Sequence, residues 1–279
     1  MKRKIFALIL VLCLILGLAG CSNPLTNNTE EESTEEAEVI TAVDTEGSMN
    51  GVTLKIGVSP DFAPFTYEDE GGNMKGFDID YIEELSIYLG FDYELVVEQM
   101  EDIEKDLKKG KIDCAISGIS TTNSRSDDFA FTDTYYNNTM SLVIAEGVEA
   151  ESKKDIVHMK LGAEKATSSA EYVEENLKRF NNKIKYYDNL SKVFKALEKG
   201  KIDAAVLDAT SIDYYLENHP ESKITVIETN LNATQSSYAI MCGKKFEYTD
   251  SFNVAMKQID IDGKYQEIYN KWFNKGTDQ

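Results

Sequence analysis

The residues of this chain best suited to chemistry stand just past two apolar runs. Cys114-Ala115-Ile116 is followed by Ser117-Gly118-Ile119-Ser120-Thr121-Thr122-Asn123-Ser124-Arg125, a series of hydroxyls and backbone N–H groups ending in a guanidinium. Ala204-Ala205-Val206-Leu207 is followed by Asp208. A guanidinium flanked by hydroxyls suits a carboxylate, which its planar fork binds bidentately. A carboxylate at the end of an apolar run suits an ammonium. Together they describe the two ends of an α-amino acid. Each residue also has a plainer reading. Arg125 could pair with Asp127 or Asp128, Asp208 could cap the helix that follows it, and Phe62, in a proline-bounded loop, could be a core aromatic.

The elements that carry these residues favour the first reading. Segments 107–116 (LKKGKIDCAI) and 197–206 (LEKGKIDAAV) agree at seven of ten positions, and each reads as a helix ending on Lys-Gly, then Lys-Ile-Asp, then a short strand. Glycine there can take the left-handed conformation that closes a helix. Around the first copy, Val52–Ser59 is strand-like, Phe77–Leu89 has one apolar helix face, and Phe91–Val97 is again strand-like. Around the second, Met159–Glu164 and Lys183–Tyr187 read as strands, with helices over Ala170–Phe180, Leu190–Lys199 and Ser211–Asn218. Tyr238–Cys242 reads as a strand, and Thr249–Phe273 as two helical pieces around Asp262-Gly263. Alternation of this kind predicts an α/β fold with largely parallel sheets. Ligands of open α/β sheets bind beyond the carboxyl ends of the strands, where Ser117, Gly118 and Asp208 fall.

Composition narrows the function. Twenty-nine Lys and Arg against 49 Asp and Glu give a net charge of −20, which argues against nucleic acid as a partner. No phosphate-binding loop is present, and His158 and His219 lack metal-ligand spacing, so neither cofactor nor metal is expected. Lys2, Arg3 and Lys4, the apolar run Ile5–Leu16 and Leu18-Ala19-Gly20-Cys21 predict a lipoprotein signal over residues 1–20 and a mature chain lipidated on Cys21. Residues 22–50 carry eight acids and no Lys or Arg, so 21–51 is expected to be an acidic, disordered tether. Cys114 and Cys242 read as two buried thiols, although an exported protein could pair them.

The sequence resembles the bacterial extracellular solute-binding proteins of family 3, the polar amino-acid receptors of ABC importers. The resemblance is carried by Ala63-Pro64-Phe65, Gly76-Phe77-Asp78-Ile79-Asp80, both Gly-Lys-Ile-Asp units, Ser120-Thr121-Thr122 with Arg125, Phe129–Tyr135, Asp208, Asp262-Gly263-Lys264-Tyr265 and Lys271-Trp272-Phe273. It implies two Rossmann-like lobes of the type II periplasmic-binding-protein kind. Lobe 1 would comprise 52–136 and 242–279, and lobe 2 141–232, with a hinge at 137–140 and 233–241. Arg125, helped by Ser120, would hold the ligand's α-carboxylate and Asp208 its α-ammonium. Ser117 and Gly118 would offer hydroxyl or backbone groups, and Thr167 and Ser168 a helix-opening turn in which Ala166 replaces the usual glycine. Phe62 would stack on the ligand side chain. Ser59 stands where receptors for cationic amino acids tend to carry an acid, and Met100 where many have a second aromatic, so a polar or uncharged amino acid is expected. Tyr67, Gln99 and Gln235 could also reach the pocket. The implied protein is a monomeric, lipid-anchored receptor outside the cell membrane that delivers a free amino acid to a permease. An exported dehydratase-like enzyme or a lipid-anchored sensor or adhesin are the alternatives. The chain lacks an evident His–carboxylate or Cys–His pair, and no appended signalling domain fits its length.

Overall fold

A computed structural model describes residues 45–231 and 237–274. The expected signal segment, Cys21, Gln235 and the tether up to residue 44 lie outside the described residues. The expected tether does not extend to residue 51. Residues 45–51 form turns against the end of the first helix, with the Met49 side chain fully buried. Their N–H groups at Gly47 and Met49 donate to the carbonyls of Tyr88 and Leu89, which a helix end otherwise leaves unpaired.

Lobe 1 begins with β1 (Thr53–Val58), a small antiparallel sheet of β2 (Asp61–Phe62), β3 (Thr66–Glu68) and β4 (Met74–Lys75), and α1 (Phe77–Leu89). It continues with β5 (Asp92–Val97), α2 (Met100–Lys108), β6 (Cys114–Ala115), α3 (Asn123–Asp128) and β7 (Ala130–Asn137). Lobe 2 contains β8 (Met140–Ile144), β9 (Lys160–Glu164), α4 (Ser168–Tyr172), β10 (Lys183–Tyr187), α5 (Leu190–Glu198), β11 (Ala204–Asp208), α6 (Ala209–Asn218) and β12 (Thr225–Glu228). The chain then returns through β13 (Ser237–Cys242) to α7 (Thr249–Ile261) and α8 (Lys264–Phe273). The expected helix over 170–180 is only partly regular: after α4 the chain widens into a π-type turn and then a 3₁₀ turn.

The two five-stranded sheets have matching orders, β5-β1-β6-β13-β7 and β10-β9-β11-β8-β12. In each, the first three strands are parallel and the fourth is antiparallel to its neighbours. The fourth strand of lobe 1 comes from the returning chain. Residues 237–241 and 137, expected in the hinge, therefore belong to the lobe 1 sheet, because β13 needs both β6 and β7 to satisfy its backbone. The chain passes between sheets at 138–139 and between β12 and β13.

Cys114 and Cys242 lie opposite each other on β6 and β13 as free, buried thiols, and burial pushes Cys242 up to about 12. α8 closes the back of lobe 1. Trp272 Nε1 donates to Asp80 Oδ2, Lys271 pairs with the same carboxylate at 2.6 Å, and Phe273 packs on Phe65 and Phe77. Fully buried Phe65 also meets Phe62, Tyr136 and Tyr238, making a rigid aromatic floor beneath the loop that carries Phe62. Among the described residues no helix is long and apolar enough to cross a membrane.

Candidate ligand-binding site

Arg125 is the most constrained of the expected residues. It sits in the first turn of α3, where the Thr122 side chain accepts its backbone N–H, and its side chain is buried. Its pairing is with neither Asp127 nor Asp128. Nε donates to Glu104 Oε1 at 2.9 Å, one terminal nitrogen to the Ser120 carbonyl at 2.9 Å and the other to the Ala166 carbonyl at 2.8 Å. Three of five N–H donors are thus held by protein, leaving one on each terminal nitrogen for an incoming carboxylate. The bond to Ala166 crosses from lobe 1 to lobe 2. It is possible because Ala166 adopts the left-handed conformation, φ 54°, that a glycine would take easily.

Asp208 ends β11 and stands at the N-cap position of α6, but its side chain makes no capping bond. Instead the Asn138 amide donates to it. Desolvation raises its carboxyl to about 6, with Tyr238, Asn138 and the Arg125 charge pulling the other way. A carboxylate held this far from water gains more from an ammonium than an exposed one does.

Ser117 and Gly118 serve lobe 1 from within. The Ser117 hydroxyl lies 2.6 Å from Thr66 Oγ1 and accepts the Ser59 N–H at 3.1 Å. The Gly118 N–H donates to Asp78 Oδ2 at 2.7 Å. Asp78 is fully buried and raised to about 7, chiefly by desolvation. The groups expected to face a ligand are therefore used to hold the loop, and Asp78, which the sequence showed only as part of a motif, is what holds it. Gly118 has φ 56°, and a Cβ there would lie 2.2 Å from the Phe62 ring, so glycine lets that ring sit flat against the loop. Phe62 is stacked on Phe65 at 5.5 Å and also lines the cleft.

Arg125, Asp208, Phe62 and the Ser117-Gly118 loop meet in one space between the lobes. Lobe 1 lines it with Ser59, Phe62, Met100, Ser120 and Arg125, together with the Ser117-Gly118-Ile119 loop. Lobe 2 lines it with Glu164, Thr167, Ser168 and Asp208. Its volume is about 20 Å³, room for roughly one water, so the lobes are drawn together. Direct contacts hold them so. Ser120 and Ser168 hydroxyls lie 3.0 Å apart, Ser124 donates to Glu171 at 2.7 Å, and Lys165 reaches Glu101 at 3.6 Å. At one edge, Asp61 in the Phe62 loop accepts the Ser191 N–H at 3.0 Å and its hydroxyl, so a lobe 1 carboxylate occupies the N-terminus of α5 in lobe 2. Thr167 caps α4 through the Ala170 N–H at 3.2 Å. Tyr67 turns away toward Tyr214 and Trp272, and neither it nor Gln99 lines the space. A larger cavity, about 580 Å³, lies at the far end of lobe 1 between the end of α2 and residues 243–248, and holds none of the expected residues.

Sequence reasoning missed Glu164. It ends β9 as Asp208 ends β11, behind the apolar run Leu161-Gly162-Ala163, and that parallel was the available signal.

Likeness to known proteins bears on the family and the fold. The family of bacterial extracellular solute-binding proteins, family 3, matches residues 54–275. A probable histidine-binding protein of Neisseria gonorrhoeae is 28% identical over 227 residues, 81% of this chain and 84% of the relative. The arginine-binding extracellular protein ArtP of Bacillus subtilis is 24% identical over 271 residues, 97% of this chain and 98% of the relative. Among solved structures, an ancestral arginine-binding protein bound to arginine superposes with a TM-score of 0.76 at 30% identity, over 81% of this chain and 99% of that one. On its motifs, its paired α/β sheets and a match spanning both, the chain belongs to the bacterial extracellular solute-binding proteins of family 3.

Proposed function

We propose that this protein captures a free amino acid between its lobes and presents it to the permease of an ABC importer. The observation that carries this reading is the convergence of Arg125 from lobe 1 and Asp208 from lobe 2 on one enclosed space, opposite charges suited to the two ends of an α-amino acid. Relatives named for binding histidine and arginine support the solute class. Arg125 takes the α-carboxylate with its two free N–H groups, assisted by the hydroxyls of Ser120, Thr167 and Ser168. Asp208 takes the ammonium. Phe62 and Met100 flank the side chain, while Ser59, Ser117 and Gly118 shape the lobe 1 wall. Gln235, outside the described residues, would be a further ligand contact. A ligand touching both lobes favours the closed arrangement that the permease recognises, with the hinge at the two chain passages. Residues 1–20 direct export, and Cys21 carries the lipid that keeps the monomeric receptor at the outer face of the membrane.

Calorimetric titration with the common amino acids tests the site. Arg125→Ala and Asp208→Asn should each abolish binding while the thermal unfolding of the unliganded protein is retained. A ligand at a hundred times its Kd should stabilise the wild type by about 2.7 kcal/mol. Normal affinity in either variant would refute the assignment. Cys21→Ser should move the protein from the membrane fraction to the soluble fraction; a variant still bound to membranes would rule out the anchor.

Ser59 and Met100, taken alone, favour a polar or uncharged side chain. Glu164 brings a carboxylate to the same space from the opposite lobe, and that alters the balance.

A further inference from the structure

Glu164 stands apart from every other charged group in the cleft. Its residue is only 6% exposed, yet among the described residues no hydrogen bond or ion pair reaches its carboxylate. β9 and β11 are parallel neighbours, with Leu161 beside Ala204 and Gly162 beside Ala205. Carried forward, that register sets Glu164 beside Leu207, so Glu164 and Asp208 both stand at the carboxyl ends of neighbouring strands and line the same space. The charges that act on Glu164 are those of Asp61 and Asp208, both negative, and burial with these neighbours holds its carboxyl well above the usual range. Adjacent Lys165 offers no relief, because it is engaged with Asp188 at 2.8 Å and Glu101 at 3.6 Å on the surface. Arg125, the cation of the site, is already engaged with Glu104.

A buried carboxylate without a partner is costly, and the cost is removed by a proton or by a cation. The α-groups of an amino acid satisfy Arg125 and Asp208 and leave Glu164 as it was. We propose that Glu164 sets the specificity of the site by receiving the side-chain cation of a basic amino acid whose α-groups are held by Arg125 and Asp208. The proposal rests on the reading of the cleft as an amino-acid site. The acid missing at Ser59 in lobe 1 is thereby supplied from lobe 2, so the charge that recognises the side chain and the charge that recognises the α-ammonium lie on the same lobe. Phe62 and Met100 provide apolar walls for the methylene stem of such a ligand, and the unbranched Met100 can shift to admit it.

The decisive comparison pairs each basic amino acid with a neutral analogue of similar shape: L-lysine with L-norleucine, and L-arginine with L-citrulline. In titrations of the wild-type protein, the preferred basic ligand should bind on the order of 100-fold more tightly than its neutral partner. Glu164→Gln should remove most of that difference by weakening the basic ligand, leaving the neutral one within about threefold of its wild-type affinity. A wild type that binds norleucine or citrulline as tightly as its basic counterpart overturns the proposal, and this comparison needs no variant. Equal loss of both ligands in Glu164→Gln overturns it as well. If binding is Arg125-dependent but favours neutral amino acids, only the role of Glu164 fails. If no amino acid binds, or binding survives Arg125→Ala, the reading of the whole site fails and this proposal with it.

Discussion

Half-buried Asp208 and fully buried Asp78 are both carboxyls raised by desolvation, and they act on different equilibria. In the proposed site, Asp208 must be ionised to take an ammonium. Its carboxyl lies near 6 before ligand arrives, and the ligand's charge lowers it, so binding releases a proton below that value. Affinity should therefore be flat from pH 7 to 8 and about tenfold weaker at pH 5, as read by titration across that range. A basic ligand, which also needs Glu164 ionised, should show a steeper fall. A flat profile down to pH 5 would contradict a desolvated Asp208. Asp78 acts on folding instead. Its carboxyl is raised from an ordinary 3.8 to about 7, so its contribution to stability is fully present below pH 4 and is lost as pH rises through 7. At this scale the sequence was informative where a charged residue followed an apolar run, which is why Arg125 and Asp208 were legible. It brought Ser117 and Gly118 to the strand end but gave no sign that their polar groups turn inward, because Thr66, Ser59 and Asp78 reach them through tertiary packing.

The repeated Gly-Lys-Ile-Asp units show what an element needs from its neighbours. Gly110 and Gly200 both take the left-handed conformation after their helices. Asp113 accepts the Lys55 N–H at 2.8 Å, and Asp203 accepts the Lys160 N–H at 2.7 Å, each tying the unit to the adjacent parallel strand. Ile112 and Ile202 lie flush against Gly57 and Gly162, where an added Cβ would come within 2.7 and 2.3 Å of their methyl groups. Identical residues thus do the same work in two sheets, and the likeness is one of folding, not of binding. Asp113→Ala and Asp203→Ala should each destabilise by about 1–2 kcal/mol in equilibrium unfolding, leaving ligand affinity unchanged. Because the two lie in different sheets, the double variant should show their sum to within about 0.5 kcal/mol. Loss of affinity in either would mean the units take part in recognition. The βαβ order and the Gly stops made most elements legible. The irregular stretch after α4 was not, because nothing in the alternation of apolar residues distinguishes an α turn from a π turn.

For the whole molecule, the sequence made the two-sheet architecture legible but misplaced its seams. Strand β13 reads like any apolar strand, and only its pairing with β6 and β7 reveals that it completes lobe 1. Contacts between lobes were invisible for the same reason: Asp61 and Ser191 are 130 positions apart and belong to no common motif. Yet that contact bears on time rather than on affinity alone. A ligand held between the two lobes leaves only when they part, so where the Asp61–Ser191 bonds persist around it, its residence is governed by an opening step that must break them. Asp61→Ala should accelerate release in stopped-flow displacement by roughly three- to tenfold, with little change in the association rate. An unchanged release rate would show that opening is limited elsewhere. Faster release in the variant would make Asp61, a half-buried carboxylate at the rim, the receptor's clock, setting how long the cargo stays enclosed while the loaded protein searches for its permease.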